Sequence, residues 1–497
     1  MSTSSSEELS QASGEVALET GDFASLLQKE FKPKTDKAKE AVEKAVRTLA
    51  EQALSSTTLI SGDVLGTVEA LIAQLDLKLS EQINLVLHHP EFQALESAWR
   101  GLHYLVNNTE TDETLKIRVM NISKAEMHKS LKKYKGTAWD QSPIFKKLYE
   151  EEYGQFGGEP FGSLVADYYF DNSAPDVELL AQMAQIAAAA HAPLISAADP
   201  SVMMMESWQE LANPRDITKI FQTPEHAAWR AFRESDDSRY VGLAMPRFLS
   251  RSPYGAKSNP VEAFNFEENT AGGSEKFTWS NAAYAMAVNI TRSFKNYGWC
   301  SQIRGIESGG AVEGLPVHSF PTDDGGVDMT CPTEIAISDR RDAELSKNGF
   351  MPLVHKKNSD FAAFIGAQSL HKPAEYDDPD ATANANLAAR LPYLFATCRF
   401  AHYLKCIVRD KIGSFKERAD MEVWLNNWIA HYVENNPATA SESDKARRPL
   451  SGAEVIVEEI EGNPGFYAAK FFLRPHYQLE GLTVSLRLTS KLPSTKG

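Results

Sequence analysis

The sequence predicts an α/β fold with a mainly parallel sheet, because strand-like and helix-like segments alternate through its middle. The clearest unit spans 161–198. Phe161–Phe170 reads as a strand, Asp176–Ala190 as an alanine-rich helix, and Ala192–Ala197 as a second strand. A strand, a crossover helix and a second strand form the unit that parallel sheets are built from. The second observation lies near the end of the sequence, where Leu482-Thr-Val-Ser-Leu-Arg-Leu-Thr489 alternates apolar and polar residues. That period of two describes a strand with one face buried and one solvated. Burying Leu482, Val484, Leu486 and Leu488 contributes at most roughly 6–12 kcal/mol, at ~1.5–3 kcal/mol per side chain. A whole domain is stable by only about 5–15 kcal/mol, so this run requires a sheet to join, in its own chain or in a neighbour.

Taken in order, residues 1–20 are Ser/Glu-rich and read as a disordered leader. Residues 21–60 read as an N-terminal arm. Within it Phe23, Leu26, Leu27 and Phe31 recur at helical spacing before Pro33 ends the segment. So short a helix is marginal alone and must order against a partner or against its own core. A longer helix follows over 35–54, with Glu40–Lys44 and Glu43–Arg47 as i,i+4 pairs.

Residues 61–372 read as the α/β core. It is helical from Asp63, and His89-Pro90-Glu91 starts a helix at proline. Phe92, Leu95, Trp99, Leu102 and Val106 form an apolar stripe on that helix. Leu115–Ile122 alternates like a strand, and Ser123-Lys-Ala-Glu126 is a capping box. Further strands are expected at Tyr240–Met245, Pro316–Phe320 and Phe361–Ala367, helices at Pro224–Glu234 and Ala282–Phe294, and surface loops at 265–275 and 321–329. The Pro- and Asp-rich stretch Pro373–Ala383 marks a boundary. Residues 384–497 then carry two helices, Asn384–Ile412 and Phe415–Glu434, a polar loop at 436–448, and strands at Glu454–Ile460, Phe466–Leu473 and 482–489.

Composition narrows the function. The 497 residues are 42% hydrophobic, enough for two or three domains with real cores. Lys plus Arg total 51 against 67 Asp plus Glu, a net charge of −16 and a pI near 5.3. Such a chain is a poor binder of nucleic acid or anionic membrane on global charge. The four cysteines, Cys300, Cys331, Cys398 and Cys406, form no C-x-x-C pair and support neither a zinc site nor a disulfide framework. The first residues have neither the basic region nor the apolar core of a signal peptide, and no stretch of about 18 apolar residues occurs. A cytoplasmic protein with no direct membrane insertion is expected.

Catalytic motifs are missing. Gly154–Gly158 lacks the G-K-[ST] ending of a phosphate loop, and Ser308–Gly314 fits neither phosphate-loop nor dinucleotide patterns. His88, His89, His402 and His431 have no metal-ligand spacing, and no G-x-S-x-G elbow is present. The paired carboxylates Asp236/Asp237, Asp323/Asp324 and Asp377/Asp378 sit in loop-like contexts. The segment Arg247–Gly255 has two readings: a phosphate site built on its arginines, or a long loop anchored by their hydrogen bonds to backbone carbonyls. The first would make the protein a cytoplasmic α/β enzyme binding a phosphorylated small molecule. No cofactor is indicated.

Several segments together resemble one family. Glu91–Leu105 is similar to the hallmark helix of the large subunit of the type VI secretion contractile sheath, the TssC/VipB family. Arg247–Glu267, Cys331–Arg341, Leu391–Phe395, Arg399–Lys405 and Arg409–Gly413 also look like its signatures, and the resemblance runs from about Phe23 to Leu492. It implies a structural, non-enzymatic protein with a contractile-sheath fold. Large and small (TssB/VipA) subunits would polymerise helically around an Hcp tube, attach to baseplate components, contract to drive the tube into a target cell, and be recycled by the AAA+ ATPase ClpV. It also implies terminal strands exchanged between protomers, which assigns Leu482, Val484, Leu486 and Leu488 to an inter-subunit sheet, and a ClpV contact at Phe23, Leu26 and Leu27. The helix 415–433, with Glu417 and Glu422, becomes a candidate tube-facing element, although Trp424, Leu425 and Trp428 suit a core equally well. Two packings of the same protomers can hold the energy for contraction without a cofactor.

Overall fold

The computed structural model describes residues 64–478 apart from 214, 257, 322–326, 330, 412–417, 460–466 and 477, with Lys37 and Lys44 alone before them. The segment Phe23–Phe31, the helix expected at 35–54, Glu417 and the run 482–489 lie outside the described residues. The described chain divides into two units, residues 64–87 with 254–269, and residues 88–253 with 270–478. In the first unit helix α1 (Val64–Leu87) holds the loop through Asn84. Its Nδ2 donates to the Glu267 carbonyl at 3.1 Å and its Oδ1 accepts from the Asn269 N–H at 2.8 Å.

The second unit begins with α2 (Pro90–Asn107) and α3 (Lys124–Lys132), the latter opened by the expected capping box of Ser123 and Glu126. A six-stranded sheet follows. Its strands are β1 (Leu164–Phe170), β2 (Leu194–Ala198), β3 (Val241–Met245), β4 (Ala311–Val312), β5 (Phe350–His355) and β6 (Ala362–Phe364), ordered β1-β2-β3-β5-β6-β4. The first four in that order are parallel, and β6 and β4 close one side antiparallel. Every residue of β2 and β3 is buried, as strands covered on both faces require. Leu194, Leu243 and Phe350 face one core, with Leu179, Leu180 and Ile186 of helix α4 (Ala174–Ala190). Ile195, Ala244 and Met351 face the other, with residues Ala282–Ile290 of α6 (Ala282–Tyr297). Helix α5 (Ala227–Glu234) adds Trp229 and Phe232 to the first core. Gly242 leaves room in β3 for the side-chain ends of Leu391 and Met351, each of which would lie 2.8 Å from a Cβ there.

Several expectations need correction. Leu115–Ile122 joins no strand ladder. Its cations are held by carboxylates instead, Lys116 by Glu159 and Arg118 by Glu152 and Glu159. Ser319–Pro321, at the end of the strand expected over 316–320, pairs with Val327–Met329 in a separate ladder, inside the segment expected to be loop. Strand β5 was not expected, since Pro352 in Phe350-Met-Pro-Leu-Val-His reads as a break. In the sheet it stands opposite Met245 with its nitrogen on the side of β5 away from β3, so that ladder loses no donor.

The helix expected at 384–412 is two, α8 (Pro379–Ala388) and α9 (Leu391–Lys411), after α7 (Asp339–Lys347). The break has a backbone cause. The Ala389 carbonyl accepts from the Ser369 N–H at 2.9 Å, and the Leu391 N–H donates to the Ala367 carbonyl at 3.0 Å, so this turn is diverted into bridging another chain segment. The unit ends with α10 (Arg418–Ala430), β7 (Leu450–Glu459) and β8 (Tyr467–Pro475).

Helix α2 packs by the face opposite its apolar stripe. Ser97, Gly101 and Leu105 are its buried residues, whereas Leu95 is 56% and Trp99 66% exposed. Ser97 Oγ donates to the Trp279 carbonyl at 2.6 Å, and the Tyr284 ring lies where a Cβ on Gly101 would be, 2.4 Å away. Small residues bring this helix against α6, and Phe92, Leu95, Trp99 and Val106 of the stripe are left facing outward while Leu102 packs at the core's margin.

Candidate functional site

The C-terminal sheet is built on its own small core. Trp299 stacks on Phe400 of α9 with ring centroids 4.4 Å apart, and Leu404, Leu425, Ile429, Leu450, Val455 and Val457 surround the pair. Strands β7 and β8 are antiparallel, with Val455 opposite Phe471 and Val457 opposite Ala469. One face, carrying Ala469, Phe471 and Leu473, packs toward this core, while Phe472 on the other is 55% exposed. The alternation of side chains along these strands produces that asymmetry.

The two outer edges differ. On β7, the Asn426 Oδ1 accepts from the Val455 N–H at 3.0 Å and its Nδ2 donates to the Val455 carbonyl at 2.8 Å. One turn earlier on α10, Glu422 Oε2 accepts from the Val457 N–H at 2.9 Å. At the start of the strand, Glu434 donates its N–H to the Leu450 carbonyl at 2.9 Å, and Leu450 donates to the Tyr432 carbonyl at 3.2 Å. Because the Val455 peptide groups point away from β8, those of its opposite number Phe471 point away from β7, as do those of Ala469 and Leu473. No described residue bonds these outward groups of β8.

Past β8 the chain is fixed to the α/β core. Gln478 donates its N–H to Tyr393 Oη at 3.0 Å and its Nε2 to the Ser301 carbonyl at 2.9 Å, and its Oε1 accepts from Arg304 Nε at 2.7 Å. Residues 479–497 depart from this point.

The arginine loop has carboxylate partners. Arg247 forms a two-pronged pair with Glu334 at 2.8 Å on each prong. Arg251, nearly fully buried, pairs with Glu96 of α2 at 2.6 and 3.2 Å. Glu96 also accepts from Arg100 at 2.7 Å and from Thr278 at 3.1 Å. The loop is thus anchored as one of the two sequence readings held, with side-chain carboxylates as the main partners and the Ser252 carbonyl accepting from Arg251 at 3.4 Å. Burial raises the Glu96 carboxyl, and the hydrogen bonds and charges of Arg251 and Arg100 outweigh it and hold the group below its ordinary value.

Other titratable groups are shifted by burial and by their neighbours. Buried His402 donates its Nε2 to the Ala190 carbonyl at 2.8 Å, and burial lowers its pKa to about 4. Burial also pushes Asp342 up to about 6, with Asp339 adding to the shift. Cys331 would be raised by burial, yet its hydrogen bonds to His355 and Thr333 hold the thiol below its ordinary value. Among the described residues, no three His, Cys, Asp or Glu side chains are grouped to hold a metal ion. No described helix is long and apolar enough to cross a membrane.

Of the residues singled out from sequence, Glu422 is described, and its carboxylate lies on the β7 edge. Sequence reasoning missed Asn426 and Gln478. Asn426 carried a signal, since asparagine in mid-helix is unfavourable unless its amide has local work. Gln478 carried none.

Comparison with known sequences and structures completes the description. Residues 69–371 match the family described as EvpB/VC_A0108, tail sheath N-terminal domain, and residues 380–492 match EvpB/VC_A0108, tail sheath gpW/gp25-like domain. The chain is 74% identical over 498 residues to the type VI secretion system sheath protein TssC1 of Pseudomonas aeruginosa, covering 100% of both chains. Among solved structures, the baseplate of the anti-feeding prophage aligns at TM-score 0.35 and 10% identity, over 64% of this chain and 67% of that one. The contracted sheath complex of an extracellular contractile injection system aligns at 0.30 and 8%, over 62% and 68%.

Proposed function

This chain belongs to the TssC/VipB family of type VI secretion tail-sheath proteins, and on that premise we propose how it assembles and what it meets. It is a structural subunit of the sheath and builds a helical polymer with partner subunits. The finer reading is that the partner is the small sheath subunit, that the polymer encloses an Hcp-type tube in the cytoplasm of a Gram-negative bacterium, and that contraction propels the tube. Neither a substrate nor a cofactor enters this reading.

The observation that carries the assembly is the C-terminal sheet. Strand β8 offers an outer edge whose peptide groups have no described partner, beside a chain that still has an eight-residue alternating run to place. A strand with Leu482, Val484, Leu486 and Leu488 on one face satisfies such an edge by β-augmentation. Supplied by a neighbouring subunit, it keeps the lattice connected while rigid bodies rotate. Removing residues 482–497 is expected to leave the α/β core folded and to abolish tubules when the truncated chain is co-expressed with the small subunit. Normal tubules from that pair would overturn the reading.

The N-terminal contact is proposed on the family resemblance, with the helical spacing of the segment in support. Phe23, Leu26 and Leu27 form one face of a short helix that a ClpV-type ATPase engages. Changing all three to serine is expected to remove ATPase binding from assembled sheaths while tubules persist; undiminished binding would contradict it. A tube-facing role is proposed for the helix around Glu417 and Glu422. Glu417 is the stronger position, because Glu422 already bonds the β7 edge.

A further inference from the structure

We propose that Glu422 and Asn426 seal the outer edge of β7, making the outer edge of β8 the accepting edge for an incoming strand and so fixing the direction in which the shared sheet grows. The inference rests on the strand-sharing reading and adds residues and a polarity to it.

An unpaired sheet edge is a template for any extended chain, and a two-stranded sheet has two. Here they are treated differently by side chains of one helix. Asn426 presents a donor and an acceptor in the arrangement of a peptide group, and both are spent on Val455. Glu422, an acceptor only, takes the Val457 N–H. The parallel bridge of Val433 to Leu450 closes the start of the same edge. A strand arriving at β7 would have to displace Asn426 and Glu422 and leave them to find new partners beside an apolar core.

Strand β8 has no such guard. Its outward groups at Ala469, Phe471 and Leu473 are bonded by no described residue, and the side chains of those residues already face the core under the sheet. The occupant is the run 482–489 of a second copy of this chain. Its four apolar residues continue the row of Ala469, Phe471 and Leu473, while Thr483, Ser485, Arg487 and Thr489 continue the open row of Lys470, Phe472 and Arg474. Gln478 supports a second copy as the source. It lies three residues past β8 and is held to Ser301, Arg304 and Tyr393 of the core, so the outgoing arm starts from an anchored point and not from a free hairpin loop.

The test is residue-resolved hydrogen exchange on the full-length chain, alone and after co-assembly with the small subunit. In the unassembled chain the Val455 and Val457 amides should exchange at least about tenfold more slowly than those of Ala469, Phe471 and Leu473. On assembly the latter three should slow by at least about tenfold, with Val455 and Val457 little changed. The double variant E422A/N426A should lose the protection of Val455 and Val457 before assembly and gain it afterwards, as strands enter the wrong edge. The single variant F471P, which deletes one outward donor of β8, should reduce tubule yield while leaving Val455 and Val457 protected. Fast exchange of Val455 and Val457 in the unassembled wild-type chain, or new protection there on assembly, would overturn the seal. If neither edge gains protection in tubules, the strand-sharing reading fails, and the slow amides of the unassembled chain judge the seal separately.

Discussion

Single side chains show how this protein keeps ionisable groups inside a large core. His402 is held neutral, with its pKa near 4, by burial. An exposed histidine titrates near 6.5, so as pH falls from 6.5 toward 4 the unfolded chain takes up the proton first and stability drops. By this reckoning His402 alone costs about 2 kcal/mol at pH 5 relative to pH 7. Replacing it with phenylalanine should flatten the denaturation profile over that window by about the same amount, measurable with urea at the two pH values. Sequence reading placed His402 on a helix among aromatics as a structural residue, and the structure agrees. The two arginines of the 247–255 loop were harder to assign, because a guanidinium suited to phosphate is equally suited to a carboxylate. Only the fold brings Glu334 and Glu96, 87 and 155 residues away in the chain, to meet Arg247 and Arg251.

Among the elements, helices and strands with strong periodicity were legible, but not always the faces they bury. The 3-4-3-4 stripe of α2 identified a helix correctly, yet it is Ser97, Gly101 and Leu105 that lie inward. A glycine that admits a ring and a serine that bonds a carbonyl leave no trace in hydrophobic periodicity. Gly101→Val should therefore be costly, since its branched side chain would compete with the Tyr284 ring for space. A loss of about 1–3 kcal/mol, as for other overpacked sites, is expected by thermal or urea unfolding. Strand β5 was illegible for the converse reason, because Pro352 reads as punctuation although its nitrogen lies on the side of β5 away from the β3 ladder. The split between α8 and α9 arises from backbone bonds to residues 367–369, a long-range cause no local window contains. The strands β7 and β8 were read within a few residues. Their unequal edges were not, because Glu422 and Asn426 act across the helix–sheet interface.

At the scale of the whole molecule, the chain is a parallel α/β sheet carrying a small second sheet whose two edges are chemically distinct. The motifs of Glu91–Leu105 and Cys331–Arg341 made the family legible from sequence, and matches over 69–371 and 380–492 establish it. The terminal run 482–489 reads from its pattern as a strand that needs a sheet, and the edge of β8 is the place proposed for it. A density map of tubules reconstituted from this chain and the small subunit tests the account most directly, by tracing residues 479–489 onward from Gln478. The account predicts that the arm crosses to another subunit and lies along the outer edge of its β8, with Glu422 and Asn426 still on β7. An arm folded back onto β8 of its own subunit, or a strand seated on β7, would contradict it.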